Sequence, residues 1–215
     1  MDSTLKYPKT LVQLDSFTIV GIQRNILQKD ELDPQKAQIG RTFDEYYSKQ
    51  LYDQIPNRLN PMRTHCLYFE LSDGQDWQEM KYKIVVGEQV SQVKNVPEGM
   101  VSIKVPAHHF CRFDCGPGPI PDVVIEAWQS LGKLNPEEFG GDRTHDFELE
   151  VYPEDQLDRN SMKFHLYNRN IMNNNLSEQD NFCFSQSIFG LFPFFVPILP
   201  KRKLAQDFVP LRLYQ

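Results

Sequence analysis

The stretch DFELEVY at residues 146–152 carries the pattern that organises the rest of the chain. Side chains alternate across a β-strand, so three apolar residues share one face while Glu148, Glu150 and Tyr152 share the other. The apolar face is expected to pack in the core. Carboxylates are seldom buried without a partner, so the second face either is solvated or lines a polar site. The residues alone leave both interpretations open.

Each half of the chain has such a strand, followed by a second one. In the first half, THCLYFEL at 64–71 is a strand-like run that ends in a turn at 72–74. The run 81–93 is predicted to pair with it as a hairpin, bulged at Gly87. In the second half, MKFHLY at 162–167 follows the strand at 146–152 in the same way.

A strand and a helix precede the hairpin of the first half. The run 11–26 is rich in Val, Ile, Phe and Thr and is predicted to be one strand. Asp33 and Pro34 are typical of the N-cap and first residue of a helix, which the spacing predicts over 34–52. Its apolar stripe recurs every fourth residue, at Ile39, Phe43, Tyr47 and Leu51.

The second half repeats this order. A strand interrupted at Pro106 is predicted over 100–115, and a helix over 120–133 buries the stripe Val124, Trp128 and Leu131. The chain thus contains two strand-helix-strand-strand units, at 9–93 and 100–168. They predict an α+β domain of two pseudo-symmetric modules with a mainly antiparallel sheet, both helices on one side and a ligand groove between the modules. We expect this domain to occupy residues 1–170.

Composition restricts the function classes. The formal net charge is −6 and aromatic residues make up 12% of the chain, which argues against a nucleic-acid surface and favours cationic, lipophilic ligands. The four cysteines form no CxxC pair and no signal peptide is recognisable, so a cytoplasmic protein with reduced thiols is expected. His108 and His109 point to opposite faces of their strand, so neither a metal site with the nearby cysteines nor any cofactor is expected.

Several motifs occur in a characteristic order along the chain: VGI at 20–22, IPNR at 55–58, YFEL at 68–71, VVGEQV at 85–90, VPEGM at 96–100, VPAHHFCRFDCGPG at 105–118, Trp128 and LEVYPED at 149–155. This order resembles the effector-binding domain found at the C-terminus of AraC-type and MerR-type bacterial transcription regulators. The same domain occurs alone in gyrase-inhibitor-like (GyrI-like) and integron-associated proteins. The resemblance spans about residues 9–168.

The resemblance implies a groove between the modules with Glu150 on its floor, and it leaves Glu148 as an exposed residue. Tyr68 is a further candidate for ligand binding, because the family often has a tyrosine at this place in the groove. Tyr47 could reach the groove from the first helix. Trp128 and Phe43 are candidates as well, although their spacing on the helices is equally typical of core packing.

Three functions remain open at this point. The first is binding of small cationic or amphipathic molecules for sensing or sequestration. The second is hydrolysis of a small molecule, with Glu150 as base and Tyr68 or Tyr152 as hydrogen-bond donor. The third is inhibition of a protein partner. Binding and hydrolysis need the same carboxylate in the same groove, so the sequence does not decide between them.

The two ends of the chain depart from the family's regulators. Only about ten residues precede the first predicted strand, so DNA binding by this chain is not expected. Residues 171–215 form a C-terminal extension that includes IFGLFPFFVPILP at 188–200, which is too short and too interrupted by proline to span a membrane as a helix. A docking segment and a poorly ordered extension are both open, and no function is assigned to it.

Overall fold

The computed structural model describes residues 6–72, 76–155 and 158–171 and confirms the α+β class. Its strands are β1 (Lys9–Leu14), β2 (Phe17–Leu27), β3 (Thr64–Phe69), β4 (Lys81–Val90), β5 (Val101–Val105), β6 (His108–Gly118), β7 (Asp142–Tyr152) and β8 (Met162–Ile171). The helices are α1 (Ile39–Ser48), α2 (Asp122–Leu131) and the short α3 (Pro136–Phe139), with 3-10 turns at Gln28–Leu32, Leu51–Gln54 and Trp77–Glu79. The strands form one antiparallel sheet in the order β1-β6-β8-β7-β3-β4-β2-β5.

Two modules of the same topology meet in the middle of this sheet. One consists of β2, α1, β3 and β4, and the other of β6, α2, β7 and β8. β3 and β7 pair across the junction, with Leu67 opposite Leu149 at the centre of the pseudo-twofold arrangement. The predicted order of strand, helix, strand and strand is therefore confirmed in both halves.

Both helices cover the same face of the sheet. Tyr46 of α1 packs with Cys66, Ile84 and Val86, and Trp128 of α2 belongs to a second apolar cluster on the other module. The opposite face has its own buried cluster, which includes Leu67 and Leu149. The alternation of β7 thus separates an apolar face from a face that lies beneath the helices.

The prediction of one strand over 11–26 is wrong, because this run forms two strands with different partners. β1 pairs with β6 of the second module, whereas β2 pairs with β4 and β5. Only Asp15 and Ser16 separate β1 from β2, and a connection of this length spans at most about 10 Å. The sheet must therefore curl so that its two ends approach each other. The run interrupted at Pro106 is divided in the same way, because β5 pairs with β2 and β6 with β1 and β8.

The first helix is shorter than the predicted span of 34–52. Asp33 does not cap it; instead the Glu31 carboxylate accepts hydrogen bonds from the backbone N–H groups of Gln38 (2.7 Å) and Ile39 (3.3 Å). At the other end, Gln50 adopts a left-handed conformation with φ of 50° and the chain continues as a 3-10 turn. The cap comes from a distant turn, which a local pattern does not reveal.

The predicted bulge at Gly87 is also wrong. The register between β3 and β4 runs without a shift, with His65 opposite Gly87, and so does that between β2 and β4, where Gly87 lies directly opposite Gly21. The two strands approach so closely here that a Cβ on Gly87 would lie 2.1 Å from the backbone oxygen of Val20. Glycine is needed for close approach and not for an extra residue.

Among the described residues, no helix is long and apolar enough to cross a membrane. The proposed extension, apart from Ile171 at the end of β8, lies outside the described residues.

Candidate functional site

A buried carboxylate, that of Glu150 on β7, lies at the junction of the two modules. Its Oε1 accepts hydrogen bonds from the Tyr68 hydroxyl (2.8 Å) and the Trp128 indole N–H (2.7 Å). Its Oε2 accepts one from the Tyr152 hydroxyl (2.8 Å). Glu150 is only 1% exposed. Tyr68, Trp128 and Tyr152 thus all contact the carboxylate of the fourth candidate, Glu150.

The pairing of the strands explains this convergence. Cys66 lies directly opposite Glu150, so Tyr68, two residues further along β3, is a diagonal neighbour on the same face. Tyr152 follows Glu150 by two residues and therefore also shares its face. Trp128 comes from the buried stripe of α2, which packs on the second module. Both modules therefore contribute hydrogen-bond donors to one carboxylate.

Burial raises the pKa of the Glu150 carboxyl, and the hydrogen bonds from Trp128, Tyr152 and Tyr68 offset part of this increase. The net shift is upward from the usual range. Burial also raises the pKa values of the Tyr68 and Tyr152 hydroxyls well above that of an ordinary tyrosine. Both phenols therefore remain neutral donors at physiological pH, and the ionised site carries a single negative charge.

The other buried carboxylates provide a comparison. Four glutamates are fully buried among the described residues: Glu31, Glu88, Glu148 and Glu150. Glu31 caps the N-terminus of α1, Glu88 lies 3.5 Å from a guanidinium nitrogen of Arg58, and Glu148 forms an ion pair with Arg143. Within the described part of the chain, no basic side chain lies within ion-pair distance of Glu150. Its charge is stabilised by hydrogen bonds but not neutralised.

Aromatic rings cover this carboxylate. Phe43 and Tyr68 are half-buried, and each packs against the cores of both modules. The rings of Phe43 and Tyr152 form a T-shaped contact with centroids 5.6 Å apart, and the Tyr68 ring contacts those of Trp128 (5.4 Å) and Tyr82 (6.0 Å). Trp128 and Tyr152 are almost fully buried, so Phe43 and Tyr68 are the more exposed of these four rings.

Tyr47 lies farther from the carboxylate than the other candidates. Its hydroxyl donates to Thr64 Oγ1 (2.7 Å), and its ring packs against Tyr46 and Tyr52. Thr64 pairs with Tyr152 across the two central strands, so Tyr47 lies on the first module at the side of Tyr152. Tyr47 contacts other aromatic rings of the first module but makes no hydrogen bond to Glu150.

The prediction that Glu148 is exposed is wrong. Glu148 is 4% exposed, pairs with Arg143 and accepts a hydrogen bond from Asn168 Nδ2 (3.1 Å). Strand parity identified its face correctly, but the central position of β7 in the sheet buries that face. The ion pair with Arg143 lowers the pKa of the Glu148 carboxyl despite its burial.

The sequence pattern did not predict the contact between Arg143 and Glu148, and the reason is geometric. In a regular strand, residues 143 and 148 would point to opposite faces, because their separation is odd. The register between β7 and β8 shifts between Arg143 and Glu148, and His145 has a φ of 54° within this irregular stretch. The irregularity brings the guanidinium to the carboxylate. Nothing in the alternation of the sequence indicates such a shift.

The cysteines near the two histidines pack in the core. Cys111 and Cys115 are buried in the cluster beneath α2, and burial raises the thiol pKa of Cys111 to about 11 and that of Cys115 to about 12. The described residues contain no group of side chains arranged to hold a metal ion.

Residues 10–168 match the model of a family described as integron-associated effector binding protein. An integron cassette protein from the mobile metagenome of Vibrio cholerae shares the fold with a TM-score of 0.57 at 15% identity, over 76% of this chain and 95% of that one. The protein SAV2435 bound to tetraphenylphosphonium aligns with a TM-score of 0.60 at 14% identity, over 76% and 94%. A putative transcription regulation protein from Staphylococcus aureus gives 0.58 at 15% identity, over 76% and 98%. No curated protein matches the chain.

Proposed function

The chain belongs to the family of integron-associated effector-binding proteins, and from this membership we propose that it binds small lipophilic organic cations between its two modules. The observation that carries the proposal is the Glu150 carboxylate, which is buried and hydrogen-bonded but lacks a cationic partner among the described residues. Burying an unpaired charge costs several kcal/mol. A cationic ligand would supply the missing countercharge.

The surroundings of Glu150 favour ligands that are aromatic as well as charged. The rings of Phe43 and Tyr68 are only partly buried, and ring faces attract cations with a strength of about 0.5–2 kcal/mol. A delocalised charge, which holds its hydration shell weakly, loses least on entering such a site. The shared fold with SAV2435, which was solved with the lipophilic cation tetraphenylphosphonium, supports the same ligand class.

The hydrogen bonding of Glu150 favours binding over hydrolysis. Both carboxylate oxygens already accept hydrogen bonds from aromatic donors. A general base needs the proton of its water within hydrogen-bond reach. The arrangement therefore supports recognition of charge, and sensing and sequestration both use this property.

Titration calorimetry with matched ligands tests the proposal. N-methylphenylpyridinium is a flat monocation, and phenylpyridine is nearly the same shape but neutral at about pH 8. We expect the cation to bind at least about tenfold more tightly, which corresponds to about 1.4 kcal/mol. Equal affinities, or no binding of either this cation or tetraphenylphosphonium, would contradict the proposed function.

Affinity for a permanent cation should fall as the pH decreases. The ionised form of Glu150 binds the cation, and burial raises its pKa in the free protein. Binding is therefore strongest above that raised pKa and weakens as the carboxyl becomes protonated below it. Isothermal titrations of N-methylphenylpyridinium from about pH 8 down to about pH 5 measure this dependence, because the ligand itself does not titrate.

The variant Tyr152→Phe provides a matched comparison for the pH dependence. It retains the ring but removes the hydroxyl that donates to Glu150 Oε2, a hydrogen bond that lowers the carboxyl pKa. The pH at which affinity falls should therefore move upward in this variant. A pH-independent affinity, or a midpoint that moves downward, would argue against Glu150 as the charge that is recognised.

A further inference from the structure

Two buried carboxylates lie next to each other on the face of β7 beneath the helices. Glu148 and Glu150 alternate with Leu149, so their backbone positions are about 7 Å apart. This is close to the separation of two charges on opposite ends of a small aromatic dication. A site with two free carboxylates at this distance would suit such a ligand.

The partners of the two carboxylates differ, however. Arg143 forms an ion pair with Glu148, Asn168 Nδ2 donates to the same carboxylate, and His145 Nδ1 lies 3.5 Å from it. The guanidinium is also held from a second side, because it stacks over the ring of Phe139 at 4.8 Å and its side chain is almost fully buried. Glu150 receives only neutral donors.

We propose that Arg143 is a specificity-determining residue that limits the site to singly charged cations by neutralising Glu148. This inference rests on the proposed function. A monocation pairs with Glu150, whereas a dication brings a second charge into a region of low dielectric constant where the neighbouring carboxylate is already paired. The second charge of the dication then loses its hydration, and no free carboxylate replaces it. Arg143 would act by removing a negative charge from the site, without contacting the ligand.

The experiment compares two ligands of the same biaryl shape, the monocation N-methylphenylpyridinium and the dication methyl viologen. Calorimetric titrations at about pH 8 keep exposed carboxyls ionised. We expect the native protein to prefer the monocation by at least about tenfold. In Arg143→Gln, the Glu148 carboxylate keeps His145 but loses its permanently charged guanidinium partner, and the ratio of affinities should shift towards the dication by about tenfold.

The double variant Arg143→Gln/Glu148→Gln is the matched control. It removes both charges of the pair, so the preference for the monocation should return to that of the native protein. The single variant Glu148→Gln removes the negative charge of the pair but keeps the positive charge of Arg143 near Glu150, and this variant should weaken monocation binding by about tenfold. Melting temperatures establish which variants fold. If Arg143→Gln does not fold, the comparison of Glu148→Gln with the double variant decides the question.

The outcomes distinguish this inference from the proposed function. If neither N-methylphenylpyridinium nor tetraphenylphosphonium binds the native protein, the proposed function itself fails. If the monocation binds but Arg143→Gln and the double variant have the same ligand preference as the native protein, Arg143 does not determine the charge selectivity. Unchanged monocation affinity in a folded Glu148→Gln variant would overturn the inference as well.

Discussion

Replacing Glu150 with glutamine should weaken the binding of N-methylphenylpyridinium by about ten- to a hundredfold. A buried interaction with a charged group commonly contributes about 1.5–3 kcal/mol, and glutamine removes the charge while keeping nearly the same shape. The effect should appear in calorimetric titrations at about pH 8, because the ionised fraction of the native carboxyl increases with pH. Binding of neutral phenylpyridine should change little.

The variant is expected to fold normally. The glutamine Oε1 can accept from Tyr68 and Trp128 as the carboxylate does, and its Nε2 can donate to the Tyr152 hydroxyl oxygen if that hydroxyl rotates. Removing an unpaired buried charge also removes its desolvation cost. The melting temperature of Glu150→Gln should therefore equal or exceed that of the native protein.

The control for this variant must change the net charge without changing the site. Glu98→Gln meets this requirement, because Glu98 is exposed in the loop between β4 and β5. Glu148→Gln does not, because Glu148 is buried and its replacement removes the carboxylate of the ion pair with Arg143. If Glu98→Gln and Glu150→Gln weaken binding equally, the acidic surface attracts cations only diffusely. Unchanged binding in Glu150→Gln would place the site elsewhere.

Features that depend on local periodicity could be predicted from the sequence. The alternation at 146–152 placed Glu150 and Tyr152 on one face, and the structure shows both beneath the helices in direct contact. The stripe of α2 was predicted for the same reason, since Val124, Trp128 and Leu131 recur at helical spacing and are buried. Periods of 2 and 3.6 residues reflect strand and helix geometry directly.

Features that depend on distant partners could not be predicted. The run 11–26 keeps its strand-like composition through Asp15 and Ser16, and nothing local shows that its halves pair at opposite ends of the sheet. Burial of Glu148 depends on the central place of β7, and its pairing with Arg143 depends on a register shift. Even the choice of Glu150 depended on the family motif, because strand alternation places Glu148 and Glu150 on the same face and does not distinguish them.

Gly87→Ala should reduce the free energy of unfolding by about 3 kcal/mol, because the added Cβ has no room. It would lie 2.1 Å from the backbone oxygen of Val20 and 2.6 Å from the Cα of Gly21. These are backbone atoms of β2, which is itself held between β4 and β5, so the strand cannot move aside without breaking two ladders. Denaturant unfolding measures the loss.

Gly99→Ala is the matched control for this substitution. A Cβ at Gly99 would have no heavy atom within 4 Å, although the φ of 77° is unfavourable for alanine and should cost about 1–2 kcal/mol. The difference between the two variants therefore isolates the close approach of β2 and β4 from the general cost of replacing glycine. β4 also pairs with β3, which carries Tyr68, so a folded Gly87→Ala variant should bind cations more weakly if the strands have separated. If the two variants lose the same stability, β2 and β4 do not approach each other as closely as the pairing of Gly21 with Gly87 indicates.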